Sequence, residues 1–416
     1  MSAFIAVVVV LASAFGLLCL FVALEVLCDD FLVPALSALA DRTKWQHEAI
    51  SAGVLALGAS AAEIVLGVTA TFESAPELSM GTMTGSAIIA FTMLPACCIW
   101  ASRGREMPLE LLPLLRDSAF FIVAVVALMV VASRNELTPL NCAALVGVFF
   151  IYAVILITCP LKSNQALVEQ AGDSEDQMGS LQGSGQNNRD YGTNATLPGS
   201  KGAQKSSKKP SPAHNVPEFE IFEEWPFTLI SDPFKVLMSL VLNRKRLKRT
   251  GENWAWGVFI SLVVLVGLSE CVVQLTIVLA ERVGMSQHLA GITVLAIGTQ
   301  VEDVFGTMAL AKSGRSTSAM VTALGSQITN YALGVGAPFL AYGLIHGKSV
   351  RLDPTKIHDV LMSTLILAAV VGCFFLLCLR HILWAQSTQF VLQNVDAILL
   401  MCAYVTATVA AVILLQ

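Results

Sequence analysis

The 416-residue sequence is poor in charge: only 13% of it is Asp, Glu, Lys or Arg, while 55% is apolar. Soluble domains carry roughly a quarter charged residues, so a water-soluble globule is a poor fit and a multi-span membrane protein is the expectation. The net charge of −5 offers no basic surface for nucleic acid. Ten cysteines are present, but no CxxC occurs and only Cys97 and Cys98 adjoin. Neither a zinc site nor a disulfide framework is therefore indicated. Six histidines show no metal-ligand spacing. The first apolar stretch lacks a positively charged lead, so it reads as an uncleaved span rather than a secretory signal.

What is present is long apolar runs, with a mean hydropathy of +0.71. A span needs about 20 apolar residues. The runs predict ten spans, near 4–25, 48–72, 79–101, 118–133, 138–159, 254–280, 287–311, 316–345, 357–380 and 391–415. Residues 1–160 make a first membrane half, 161–253 a loop and 254–416 a second half. Residues 163–216 are rich in Ser, Gly, Gln, Asn and Lys with few large apolar side chains, a composition that favours disorder. Residues 217–253 regain aromatics and end in Arg244, Lys245, Arg246, Lys248 and Arg249; they read as an interfacial lead-in or a plain basic tether. Basic residues concentrate in the central loop and in alternate short loops. By the positive-inside rule this puts the N-terminus outside and the loop in the cytosol.

The chain repeats itself. Residues 54–90 lie over 294–330 without a gap: Val54, Leu55, Ala56, Gly58, Met80, Thr82, Gly85, Ser86 and Ile88 recur as Val294, Leu295, Ala296, Gly298, Met320, Thr322, Gly325, Ser326 and Ile328. Glu63 falls on Asp303. Each copy covers the second and third spans of a five-span half. Five is odd, so the halves sit inverted, an architecture of secondary transporters whose site lies near the midplane at the repeat interface. The fold expected is an all-α polytopic protein of about ten helices in two inverted five-helix repeats.

An acid in a span is costly and is functional by default. No Lys or Arg occupies a span core, so a mobile cation is the natural counter-charge to Glu63 and Asp303. Two carboxylates balance one divalent ion, and hard oxygen ligands suit calcium and, by the same argument, sodium. Ser60, Ser86, Thr299, Gln300, Ser326 and Asn330 offer neutral oxygens. For each hydroxyl taken singly, close helix packing is an equal alternative. Gly58 and Gly298 could loosen the helix and free carbonyls. Glu25, Asp29 and Asp30 read as interfacial, Glu73 and Glu77 as solvated loop charge, and Glu270 as a secondary candidate. Glu302, about 100° round the helix from Asp303, is left aside.

These segments resemble the α-repeats of the cation/calcium exchanger superfamily, whose pattern is G-T-S-x-P-[DE] followed by G-S-N-x-x-[ND]. The first copy reads Gly58-Ala59-Ser60-Ala61-Ala62-Glu63 and Gly85-Ser86-Ala87-Ile88-Ile89-Ala90; the second reads Gly298-Thr299-Gln300-Val301-Glu302-Asp303 and Gly325-Ser326-Gln327-Ile328-Thr329-Asn330. Cys28-Asp29-Asp30-Phe31-Leu32-Val33-Pro34, Arg116-Asp117-Ser118 and Gly334-Val335-Gly336-Ala337-Pro338 look like the potassium-dependent sodium/calcium exchanger branch. The resemblance covers nearly the whole membrane part and not the central loop. It implies that Glu63 and Asp303 are the calcium carboxylates, that the carbonyls of Ala59 and Thr299 face calcium, and that Ser60, Ser86 and Ser326 serve sodium. The sequence departs from the pattern at important places. Asn330 stands for the branch's Asp, Ala90 for Asn, Gln300 for Ser, and Ala62 and Glu302 for prolines.

The function expected is a secondary cation antiporter that exchanges calcium for sodium by alternating access, with inorganic cations and the lipid membrane as partners and no cofactor. The alternative is a proton/calcium or other divalent exchanger of the same fold. It would reside in the plasma membrane or an internal calcium-storing organelle. An intramembrane enzyme would need a His, Cys or paired-Asp motif that is absent, and a receptor would need seven spans without this repeat.

Overall fold

The computed structural model describes residues 2–42, 58, 60–73, 75–102, 106–132, 136–158, 228–241, 254–347, 349–351, 354–385 and 389–415. The loop 163–216 and most of the first part of the second span, including Ala59, lie outside the described residues. The first half contains α1 (Ser2–Leu27), which continues through a π-helical turn (Cys28–Leu32) into α2 (Val33–Arg42). There follow α3 (Ala61–Phe72), α4 (Pro76–Phe91), α5 (Met93–Ala101), β1 (Glu106–Glu110), α6 (Leu111–Ala132), β2 (Glu136–Leu137) and α7 (Pro139–Thr158). In the loop lies α8 (Thr228–Val241). The second half contains α9 (Trp254–Val283), α10 (Gln287–Ala290), a π turn (Gly291–Leu295), α11 (Ala296–Lys312) and α12 (Ser316–Thr329). A third π turn (Asn330–Val335) leads into α13 (Gly336–His346), β3 (Val350–Arg351), α14 (Pro354–Ala385), β4 (Gln389–Gln393) and α15 (Asn394–Leu414).

Among the described residues, eight helices are long and apolar enough to cross a membrane, and nine if the bent run 287–312 is one span. The remaining expected span, 48–72, is represented by α3. The α4–α5 span is central: 89% of its most apolar stretch is buried, against 17% for α7. Peripheral helices turn Phe4, Leu11, Phe15, Leu140 and Ile413 outward. An interior of polar groups inside a rim of exposed apolar side chains suits a lipid solvent.

Contacts between elements follow the inverted repeat. Exchanging the halves maps the second span onto the seventh and the third onto the eighth. Accordingly α3 packs on the third π turn, and α4 packs on α10 and the second π turn. Both crossings are made by glycines. A Cβ on Gly67 would sit 2.7 Å from the carbonyl oxygen of Gly334, and one on Gly81 would collide with the His288 carbonyl. Small residues let membrane helices approach backbone to backbone, where van der Waals contact does the work. The first and sixth spans, α1 and α9, pack on each other, as the exchange requires.

Four short strands, absent from the all-helical expectation, obey the same exchange. β1 pairs antiparallel with β4 (Glu106↔Gln393 to Glu110↔Gln389), and β2 with β3 (Glu136↔Arg351, Leu137↔Val350). Each ribbon joins a loop of one half to a loop of the other. Paired loops must share a membrane face, so the chain between them crosses an even number of times. Counting the bent run 287–312 as one crossing meets this for both ribbons.

The lead-in reading of the loop's end has a structural counterpart in α8. Its Ser231 and Met238 are buried, Phe234 joins the core formed by α1 and α9, and Lys235 Nζ lies 3.8 Å from Asp30 Oδ2. Val236, Leu237 and Leu240 point away from the protein, at 60–78% exposure. Apolar on the outward face and polar on the flank, the helix suits the membrane interface.

Candidate functional site

One acid lies at a helix start and the other at a helix bend. Glu63 is in the first turn of α3, directly after the turn at Ser60. The run 287–312 bends by 44° at residue 302, immediately before Asp303. Amides freed at a helix start favour a negative group, so the start of α3 offsets part of the cost of burying Glu63. The matching third and eighth spans also break at corresponding places: at Thr92 between α4 and α5, and over Asn330–Val335.

The breaks bring the two halves together. Gln300 Nε2 donates to Glu63 Oε1 at 2.8 Å and to Asp303 Oδ2 at 3.2 Å. Gln327 Nε2 lies 3.5 Å from Gln300 Oε1. Glu63, Gln300, Gln327 and Asn330 are all buried, while Asp303 is half-buried. Asn330 lies against Glu63, yet neither of its amide atoms completes a hydrogen bond within the protein. The Ser60 and Ser86 hydroxyls are buried and likewise unbonded. Among the described residues no Lys or Arg pairs with either acid. Buried polar atoms without protein partners are rare and call for a ligand or water. The donor set is carboxylates, amides and hydroxyls, a hard oxygen set.

Other expected residues fall differently. Thr299 spends its hydroxyl on the Leu295 carbonyl at 3.1 Å, leaving its own carbonyl as the available group. Ser326 spends its hydroxyl on Ala323 at 2.9 Å. Ala59 lies outside the described residues, as does the Glu302 side chain. Glu270 accepts from Gln274 at 2.9 Å, and the same amide reaches Glu73 at 2.8 Å.

Three readings are corrected. Glu77 is not solvated loop charge: it is buried in the first turn of α4 and pairs with Lys356 at 3.0 Å. Its carbonyl bonds His288 Nδ1 at 3.0 Å, and His288 Nε2 meets Ser363 Oγ at 2.7 Å. Gly298 does not loosen its helix, which runs through it and bends four residues later; the glycine makes room for the Phe21 ring. Asp30 is more than interfacial. Asp30 is buried in the π turn, whereas Asp29 is exposed. One residue was missed, Gln327, which lay in a motif segment quoted for the resemblance; that proximity was the available signal.

The sequence pattern of the family described as sodium/calcium exchanger protein matches residues 13–158 and 253–413, both membrane halves without the loop. Human sodium/potassium/calcium exchanger 5 is 22% identical over 388 residues, covering 87% of this chain and 76% of that protein. Sodium/potassium/calcium exchanger 2 of Gallus gallus is 21% identical over 487 residues, covering 91% and 74%. Among solved structures, the H+/Ca2+ exchanger CAX superposes with a TM-score of 0.49 at 12% identity, covering 98% of this chain and 87% of that one.

Proposed function

From the premise that this chain belongs to the sodium/calcium exchanger protein family, an integral multi-pass family of transporters, we propose that it exchanges calcium for sodium by alternating access. The observation that carries this reading is the meeting of Glu63 and Asp303, one from each inverted half, on a single amide in an interior without a basic partner among the described residues. Two carboxylates neutralise one divalent cation, and the same oxygens accept sodium in its place. Competition for one charge-balanced site, open to one face at a time, is exchange.

Ser60, Ser86 and Asn330 complete the ligand set with side-chain oxygens, and the Thr299 and Ala59 carbonyls and Ser326 follow from the family pattern. Gln300 belongs to the site through its position between the acids. The basic-residue bias supports an outside N-terminus and a cytosolic 161–253 loop. The membrane is the plasma membrane or that of a calcium-storing organelle, and the partners are inorganic cations and lipid, with no cofactor.

Calcium uptake into proteoliposomes, with sodium, potassium and proton gradients imposed singly, tests this. A sodium gradient should drive uptake. Uptake driven by protons alone would replace the reading with proton/calcium exchange, which the loss of an Asn oxygen at Ala90 favours. No calcium movement under any gradient would sink both.

A further inference from the structure

The amide between the two acids presents the wrong pole for a ligand. An ionised carboxylate only accepts hydrogen bonds, so the NH2 of Gln300 faces Glu63 and Asp303 while its carbonyl faces Gln327. That nitrogen lies between the two carboxylates, the position a bridging cation would take. We infer that Gln300 is a specificity-determining residue that acts as a tethered stand-in for the transported cation. Its amide links the two acids and must turn away before an ion enters. The inference rests on the calcium-site reading above and adds what the ion must displace from that site.

Three features support the assignment. First, the amide bridges the halves: Glu63 belongs to α3, whereas Gln300 and Asp303 flank the bend at residue 302. Without a donor between them, two buried carboxylates would repel each other. Second, the movement is small. Rotation about its side-chain torsions swings the amide off the acids, and the last of these torsions is broad. The turn breaks the contact with Gln327 at 3.5 Å, a distance already too long for a strong hydrogen bond. Third, the family pattern places a serine here. A hydroxyl is too short to fill the same space, so Gln300 narrows the gap between the acids. With Gln327, it makes an amide pair peculiar to the second copy.

The test is the thermal stability of purified full-length protein in detergent, with calcium or with a chelator, beside calcium titration by calorimetry. Gln300→Ser should melt well below wild type in chelator and converge with it in saturating calcium. Its calcium affinity should rise about tenfold, because the ion no longer displaces the amide. Tenfold corresponds to about 1.4 kcal/mol, within the range for a hydrogen bond to a charged group. An equal fall with and without calcium would make Gln300 a packing residue and overturn the inference. A smaller calcium shift with weaker binding would make it an ordinary ligand and also overturn it. Gln300→Asn keeps the amide but is one methylene shorter, reaches one acid at most and should fall between; it serves if the serine variant does not fold. Wild-type protein indifferent to calcium would defeat the calcium site itself, a result distinct from either failure of the amide's role.

Discussion

The two copies of the repeat share a backbone plan but not a chemistry. Around Glu63 the first copy supplies two buried hydroxyls, Ser60 and Ser86, that bond nothing in the protein, and at position 90 an alanine. Around Asp303 the second copy supplies three amides, Gln300, Gln327 and Asn330, and two hydroxyls already spent on their own helix. Symmetry sets where the breaks and crossings fall, because both halves must present an acid at the same depth. It does not require the same ligands. Divergence at the ligand positions is how a symmetric scaffold can hold an asymmetric group of cations.

The largest effects should come where the copies are alike. Glu63→Gln and Asp303→Asn should each reduce calcium flux below detection while leaving the size-exclusion profile unchanged. Either removes half the charge that balances the ion. Normal flux in either variant would show that one copy does not reach the site.

The aligned glycines should then separate the copies. A Cβ on Gly85 runs into the backbone of Ile292 and into Ala296, whereas one on Gly325 meets only the Tyr152 hydroxyl at 3.3 Å. Gly85→Ala should cost about 1–3 kcal/mol, as overpacking does, with a lowered melting temperature. Gly325→Ala should be neutral or stabilising, by up to about 1 kcal/mol from helix propensity. Equal melting shifts would mean that the α4 crossing is looser than the structure has it.

Potassium probes the amide at position 330. Transport should proceed with potassium replaced by an impermeant cation, because Asn330 adds no charge for an extra cation in a low-dielectric site. Asn330→Asp should introduce potassium stimulation of flux. No change would place residue 330 outside the ion path.

The smallest contrast is between serines. Ser86→Ala should raise the sodium concentration for half-maximal flux by about fivefold, the worth of roughly 1 kcal/mol for one lost oxygen. Ser326→Ala, whose hydroxyl is bonded to Ala323, should stay within about twofold. Reversed magnitudes would exchange the roles of the two copies.

Much of this was legible without coordinates. The apolar runs, the odd number of spans in each half and the coincidence of Glu63 with Asp303 depend on residue type and spacing, which a sequence carries directly. The ribbons were not legible, since β1 meets β4 across most of the chain and strands of two to five residues leave little periodicity. The burial of Glu77 was hidden as well. It depends on Lys356 and His288 arriving from the other half, and a carboxylate near a loop reads as solvated until its partners are known.

The division is physical. Membrane insertion responds to apolar content summed over some twenty residues, so the spans, their repeat and the two unpaired acids were determined by the sequence alone. The site depends on side chains that meet within 3 Å from separate halves, and on which way one amide points. Those were decided only by tertiary structure, where the glycine crossings and helix breaks set Gln300 between Glu63 and Asp303.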